Sequence, residues 1–126
     1  MSSEHSVKNP IVRAELAAFV ITIKPVGPNV GQREAPIIDR DVKGLFELAG
    51  ENLKGVVIDL SDVTFMSSMG LGACIALRNQ AKASGAKVAI HGLNDDLAEL
   101  FKMMRFHKMF DMQKNEQTLE KWLKKL

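Results

Sequence analysis

The segment Thr64-Phe65-Met66-Ser67-Ser68-Met69-Gly70-Leu71-Gly72 sets two hydroxyls against a turn rich in glycine. Three chemistries are open to Ser67 and Ser68: nucleophilic attack, acceptance of a phosphate, and capping of a helix. A serine nucleophile needs a sharp elbow and a paired base, and Ser-Ser-Met-Gly-Leu-Gly is not the Gly-x-Ser-x-Gly elbow. Nothing in the local sequence delivers His91 or His107 as that base. Gly70-Leu71-Gly72 is also a poor phosphate loop, because no third spaced glycine and no Lys-Ser/Thr follows it. Those glycines read as close packing of a helix on a sheet. Ser68 lies where the second helix begins, so free backbone N–H groups and the helix dipole favour an oxygen there, and an anionic oxygen more strongly. Capping by serine contributes about 1 kcal/mol over alanine and is the commonest use of such a residue, so the local stretch by itself favours a cap.

The other reactive side chains are few. Cys74 is the single cysteine, which excludes an internal disulfide and a cysteine-built metal site and suits a reducing compartment. Its helical neighbours Leu71 and Ile75 make it a small buried apolar group rather than a redox sensor. His91 is expected on the surface or lining a loop at a strand end. His107 is expected to help finish the third helix. The histidines are scattered, with no His-x-x-x-His spacing and no acidic calcium loop, so no metal is assigned and no cofactor is called for.

These residues need a scaffold, and periodicity supplies one. Residues 11–24 alternate in a half-buried strand pattern, with Phe19, Ile21 and Ile23 on the apolar side, and give one or two strands. Pro25, Gly27, Pro28 and Gly31 then force an extended loop. From Pro36, the residues Ile38, Val42, Leu45, Phe46 and Ala49 recur at helical spacing up to Gly50. Residues 55–60, Gly-Val-Val-Ile-Asp-Leu, form a nearly continuous apolar run suited to a central strand covered on both faces. The chain turns at Ser67–Gly70 into a helix with Leu71, Cys74, Ile75 and Leu77 inward, which Gly85 ends. Residues 87–93 give another strand. Asn94 to Asp96 cap a third helix carrying Leu97, Leu100, Phe101 and Met104 on one face. Phe110 to Lys114 suggest a short edge strand. A fourth helix follows with Leu119, Trp122, Leu123 and Leu126 on one side and a solvated lysine edge on the other. Met103, Met104, Met109 and Met112 read as core filler, with a partner surface as the lesser use. Repeated strand–helix crossovers make this an α/β fold: a central mixed β-sheet with about four helices packed on it.

The 126 residues suit a single domain, with residues 1–10 as a flexible N-terminal tail. Apolar residues at 46% and charged residues at 25% fit a globular protein. The net charge of +2 comes with basic residues gathered at the C-terminus rather than in a stripe, which argues against nucleic acid as a partner. No secretory pattern and no membrane-length apolar run is present, so a cytoplasmic protein without membrane insertion is expected.

Residues 55–112 as a pattern resemble the STAS domain of bacterial anti-sigma factor antagonists, where a strand ending Asp-Leu-Ser leads through Val-x-Phe-Met to Asp-Ser-Ser/Thr-Gly-Leu-Gly. The resemblance implies a non-enzymatic interaction module of transcription regulation by partner switching. Such a module binds an ATP-binding anti-sigma factor serine kinase when unphosphorylated and is released on phosphorylation, with a phosphatase as a further partner. It places Ser68 at the phosphoacceptor position, with Ser67 the lesser candidate. Ser67 stands where the family carries Asp, and Met69 where it carries the second Ser or Thr. A carboxylate beside the acceptor could orient its hydroxyl or meet a kinase cation, and serine does either less well. This substitution favours a second reading, a STAS scaffold or sensor subunit that binds without phosphorylation. A small serine-dependent enzyme is the third. The longer loop Pro25–Pro36 departs from the family's Gly-Glu-Leu-Asp before the first helix, so Asn29, Gln32 and Arg33 join Ser67, Ser68, Met66 and Met69 as expected partner contacts. Met66 and Met69 read equally as core or contact, and Phe65 and Leu71 as core.

Overall fold

The computed structural model describes residues 5–126. Three strands, β1 (Ser6–Lys8), β2 (Val12–Ala17) and β3 (Val20–Pro25), form an antiparallel meander. Of the expected N-terminal tail, positions 1–4 lie outside the described residues, and Ser6–Lys8 is instead the edge strand of the sheet. Ala17 pairs with Val20 across a two-residue turn in which Ala18 and Phe19 both have positive φ, 51° and 64°. That turn matches the twist of the flanking strands, and it takes Phe19 out of the inward set expected for it. Its ring is 48% exposed beneath Lys54.

Past β3 the chain runs through β4 (Asn29–Val30) into α1 (Glu34–Ala49), then β5 (Gly55–Asp59), β6 (Phe65–Met66) and α2 (Ser68–Ala83). It continues as β7 (Lys87–His91), α3 (Asp95–Met103), β8 (Asp111–Gln113) and α4 (Glu116–Lys124). The main sheet has the order β1-β2-β3-β5-β7-β8, antiparallel up to β3 and parallel from β3 onward. β4 and β6 make a separate two-stranded parallel pair. Helices after β5 and β7 return the chain to the start of the next parallel strand, as parallel pairing requires.

Alternation along the central strands sorts the helices between two faces. Val56 and Ile58 join one apolar cluster with Ile38, Val42, Leu45, Cys74, Leu77, Leu97 and Phe101, so α1, α2 and α3 cover that face. Val57 and Ala89 are buried outside the cluster, on the face crossed by α4. Gly55 holds the close approach of α4, since a Cβ there would stand 2.6 Å from Leu126 and 3.1 Å from Trp122. Burial on both faces explains why residues 55–60 read as a nearly continuous apolar run, with only the half-buried Asp59 polar.

Local signals set the helix limits. α1 begins two residues ahead of Pro36, which sits in its first turn, and Gly50 ends it with φ +54°. After α2, Ala86 N–H reaches Ala81 C=O and Gly85 N–H reaches Lys82 C=O, with Gly85 at φ +74°, a Schellman stop. Asn94 and Asn115 cap α3 and α4 through their side-chain oxygens. Phe101, Phe106 and Phe110 stack in sequence with centroids 4.9 Å and 5.3 Å apart, sealing the end of the core beneath α3. Met109 and Met112 are partly buried against that core, whereas Met103 is 76% and Met104 50% exposed, contrary to their reading as filler. Arg105 at φ +58° turns the chain sharply after α3 and leaves those two methionines outside.

Candidate functional site

The serine segment is held by a zipper between two loops. After β5 the chain buries Leu60 and Val63 completely, and the peptides that follow pair with residues 28–30. Thr64 and Phe65 N–H groups both donate to Pro28 C=O, at 2.8 Å and 3.2 Å, and Ser67 N–H donates to Val30 C=O at 3.1 Å. Asn29 aligns with Phe65 and Val30 with Met66. The loop that departs from the family pattern is therefore the strand partner of the segment leading into α2. That loop enters α1 through Gly31, whose C=O accepts from Ala35 N–H and whose N–H donates to Glu34 Oε1 at 3.0 Å. Glu34 thus satisfies one backbone donor ahead of α1, the half of a capping box that glycine, lacking a side chain, can make, while the N-cap Arg33 makes no side-chain cap bond.

The two serines divide the tasks that the sequence had offered to both. Ser67 is the N-cap of α2: extended at φ −83° and ψ 176°, it accepts from Met69 N–H at 3.2 Å and Gly70 N–H at 3.4 Å through its Oγ. Ser68 is the first helical residue and is exposed. Its hydroxyl stands at the positive end of a 16-residue helix without serving as the cap. Replacing Ser67 with Ala is expected to lower stability by about 1 kcal/mol in urea unfolding, against less than half of that for Ser68→Ala. Equal losses would show that the cap is shared.

Around Ser68 the lip is mixed in character. Phe65 is 58% and Met69 48% exposed, so Phe65, expected in the core, is a surface residue. Met66 is 5% exposed and points inward, which removes it from the expected contact set. Leu71 is buried as expected. Asn29, Gln32 and Arg33 are all exposed on the neighbouring loop. Gly70 is the close-packing glycine, because a Cβ on it would collide with Val30 C=O. Gly72 is exposed with open space around its Cα, so it takes no part in that packing.

Among the described residues, neither His91 nor His107 is hydrogen-bonded to either serine. His91 lies beside Asp59 on the adjacent parallel strand, with Nδ1 3.8 Å from Asp59 Oδ1, too long for a hydrogen bond. Its side chain is 15% exposed and, among the described residues, its Nδ1 has no hydrogen-bond partner; half-buried at the strand end, with its C=O accepting from Leu60 N–H, it lines the loop after β5 rather than standing on the open surface. Asp59 Oδ1 instead accepts from Ser61 N–H. His107 is exposed in the 3-10 turn after α3. Among the described residues, no group of three or more His, Cys, Asp and Glu side chains is placed to hold a metal ion.

Cys74 lies on the core face of α2, and burial pushes its thiol up to about 12. The neutral thiol is thus favoured by folding, a contribution present below the ordinary thiol range and lost as pH rises towards 12. Iodoacetamide at pH 8 is expected to leave the native protein unmodified over hours and to alkylate one site in urea, read by intact mass.

The sequence model of the STAS domain matches residues 37–119. Among solved structures, a candidate anti-sigma factor antagonist from Thermotoga maritima superposes with a TM-score of 0.75 at 16% identity, covering 88% of this chain and 92% of its own. The anti-sigma factor antagonist SpoIIAA in its unphosphorylated form gives 0.67 at 12% identity, over 90% and 96%. The murine Solute Carrier 26 family member A9 anion transporter gives 0.73 at 14% identity, over 87% of this chain but only 18% of the transporter. The same fold thus occurs both as a whole small protein and as one part of a membrane transporter; among the described residues here, no helix is long and apolar enough to cross a membrane. The match over residues 37–119, a range that contains the strand, serine turn and helix described above, establishes that the chain belongs to the STAS domain family.

Proposed function

We propose that this chain is an anti-sigma factor antagonist-like interaction module that binds an ATP-binding anti-sigma serine kinase and is released when Ser68 is phosphorylated. The observation that carries this reading is the division of labour at α2: Ser67 Oγ holds the cap, while Ser68 is exposed on a lip with Phe65 and Met69. A phosphate on Ser68 would sit at the helix N-terminus without breaking the cap, and would change the charge of the contact surface by about −1.5 to −2. Asn29, Gln32 and Arg33, exposed beside it, supply polar contacts for partner choice. The role needs binding and no catalysis by this chain.

A second reading is favoured by Ser67 itself. It stands at the family's Asp position, and its oxygen is engaged by two backbone N–H groups, so it offers little to a kinase cation. On that reading the chain is a scaffold or sensor subunit that binds constitutively. Incubation with a cognate kinase and ATP, followed by intact mass and peptide mapping, separates the two. One added phosphate on Ser68, absent in Ser68→Ala, supports switching; a stable complex with no mass change supports the scaffold.

A further inference from the structure

A second feature lies at the carboxyl ends of β7 and β8, on the rim of the parallel strands where open α/β sheets hold their ligands. There a groove of about 550 Å³ opens between α3 and the segment 107–114. Phe101, 1% exposed, forms its base, with half-buried Leu93 and Met112 and the small residue Ala98 beside it. Lys102, His107 and Lys114 line it as exposed side chains, against one carboxylate, Asp95. An apolar trough edged by two permanent cations and a single acid complements a molecule with an aliphatic body and one anionic end. None of these residues belongs to the serine lip, so the site stands independently of any role for Ser68.

We propose that this groove binds a small amphipathic carboxylate of the medium-chain fatty acid type, its chain against Phe101, Leu93 and Met112 and its carboxylate met by Lys102 and Lys114. The volume accommodates such a chain, and the exposed lysines give the site its selectivity for an acid over a neutral analogue. Both charges are solvent-facing, so the preference weakens as salt is raised.

The test uses octanoate titrated into the isotope-labelled full chain, with octanol as the uncharged control and amide shifts as the readout. Saturable shifts at Leu93, Ala98, Met112 and Lys114 are expected, with affinity on the order of millimolar or tighter for a ligand of about ten non-hydrogen atoms. Ala98→Phe, which fills the trough from an exposed helix position, is expected to remove them while the spectrum stays native. The double variant Lys102→Glu with Lys114→Glu is expected to weaken octanoate about tenfold and leave octanol unchanged. Absence of saturable shifts, equal binding of octanol and octanoate, or octanoate affinity unaltered in the double variant overturns the proposal. Should Ala98→Phe not fold, the double variant, altered only at exposed side chains, decides alone.

Discussion

On the partner-switching proposal, phosphorylation at Ser68 is expected to weaken binding of the proposed kinase partner by about thirtyfold or more while leaving the fold intact. The two parts of that expectation have separate causes. In the free protein the phosphate meets the N-terminus of α2 in water, where a helix end favours an anion by about 0.3 to 1 kcal/mol. Thermal stability should therefore be unchanged or slightly raised. In the complex the same group would lie between Phe65 and Met69, side chains whose exposed apolar area makes contact attractive only if water leaves. A dianion stripped of water without a matching cation costs about 2–5 kcal/mol, which at roughly 1.4 kcal/mol per decade gives a loss between about thirtyfold and several thousandfold. Ser68→Asp brings one charge on a shorter arm and should lose less than the phosphorylated chain. Ser68→Ala should bind as the unmodified protein does. Titration calorimetry of the four forms against the kinase checks this order, and a phosphorylated chain that binds within threefold of the unmodified one would falsify it. A loss of affinity accompanied by a fall in melting temperature would point instead to a damaged helix start.

Much of this scaffold could be read from residue pattern, and the places where reading failed share a cause. α1 and β5 were legible because their burial is one-sided or nearly complete: Ile38, Val42, Leu45 and Phe46 keep helical spacing, and residues 55–60 are apolar but for Asp59. The pair β4 and β6 left no such trace. Two residues per strand carry no period, and what holds them is the docking of residues 28–30 on 64–67, far apart in sequence. The same pairing decides burial at the site: it puts Met66 inside and Phe65 outside, a choice that apolar character alone could not make. Met103 and Met104 were misread for a related reason, since the left-handed turn at Arg105 redirects the chain just where the helical stripe would have been continued. For the serines, the motif located the helix start to within a residue, and the division between cap and exposed hydroxyl became visible only once the Oγ contacts were known. His91 stands at a strand end beside a loop as expected, whereas its register against Asp59 depends on parallel pairing, which local sequence does not encode.

The glycines after the serines give the second large expected effect, and they pull in opposite directions. Gly70→Ala is expected to destabilise the protein by about 2–4 kcal/mol. Its Cβ would be driven into Val30 C=O, with Met66 Cε at 3.2 Å, and the carbonyl cannot swing aside because it also receives Ser67 N–H. Relief requires the first turn of α2 to lift from β4, so overpacking of about 1–3 kcal/mol is joined by the weakening of a hydrogen bond worth about 1 kcal/mol. The corresponding fall in melting temperature is on the order of 10 °C for a chain of this size. Gly72→Ala, two positions further along the same helix, meets no atom within 4 Å. Removing the conformational freedom of a helical glycine there is expected to stabilise by about 0.5–1 kcal/mol. Urea unfolding of both variants therefore tests whether the start of α2 is pinned by the loop bearing Asn29 and Val30. If Gly70→Ala loses less than 1 kcal/mol, that loop yields easily and cannot hold Ser68 at a fixed place on the lip. A large loss accompanied by weaker kinase binding in the fraction that remains folded would tie the loop to partner recognition, because lifting the first turn moves Ser68 and Met69 together relative to Phe65.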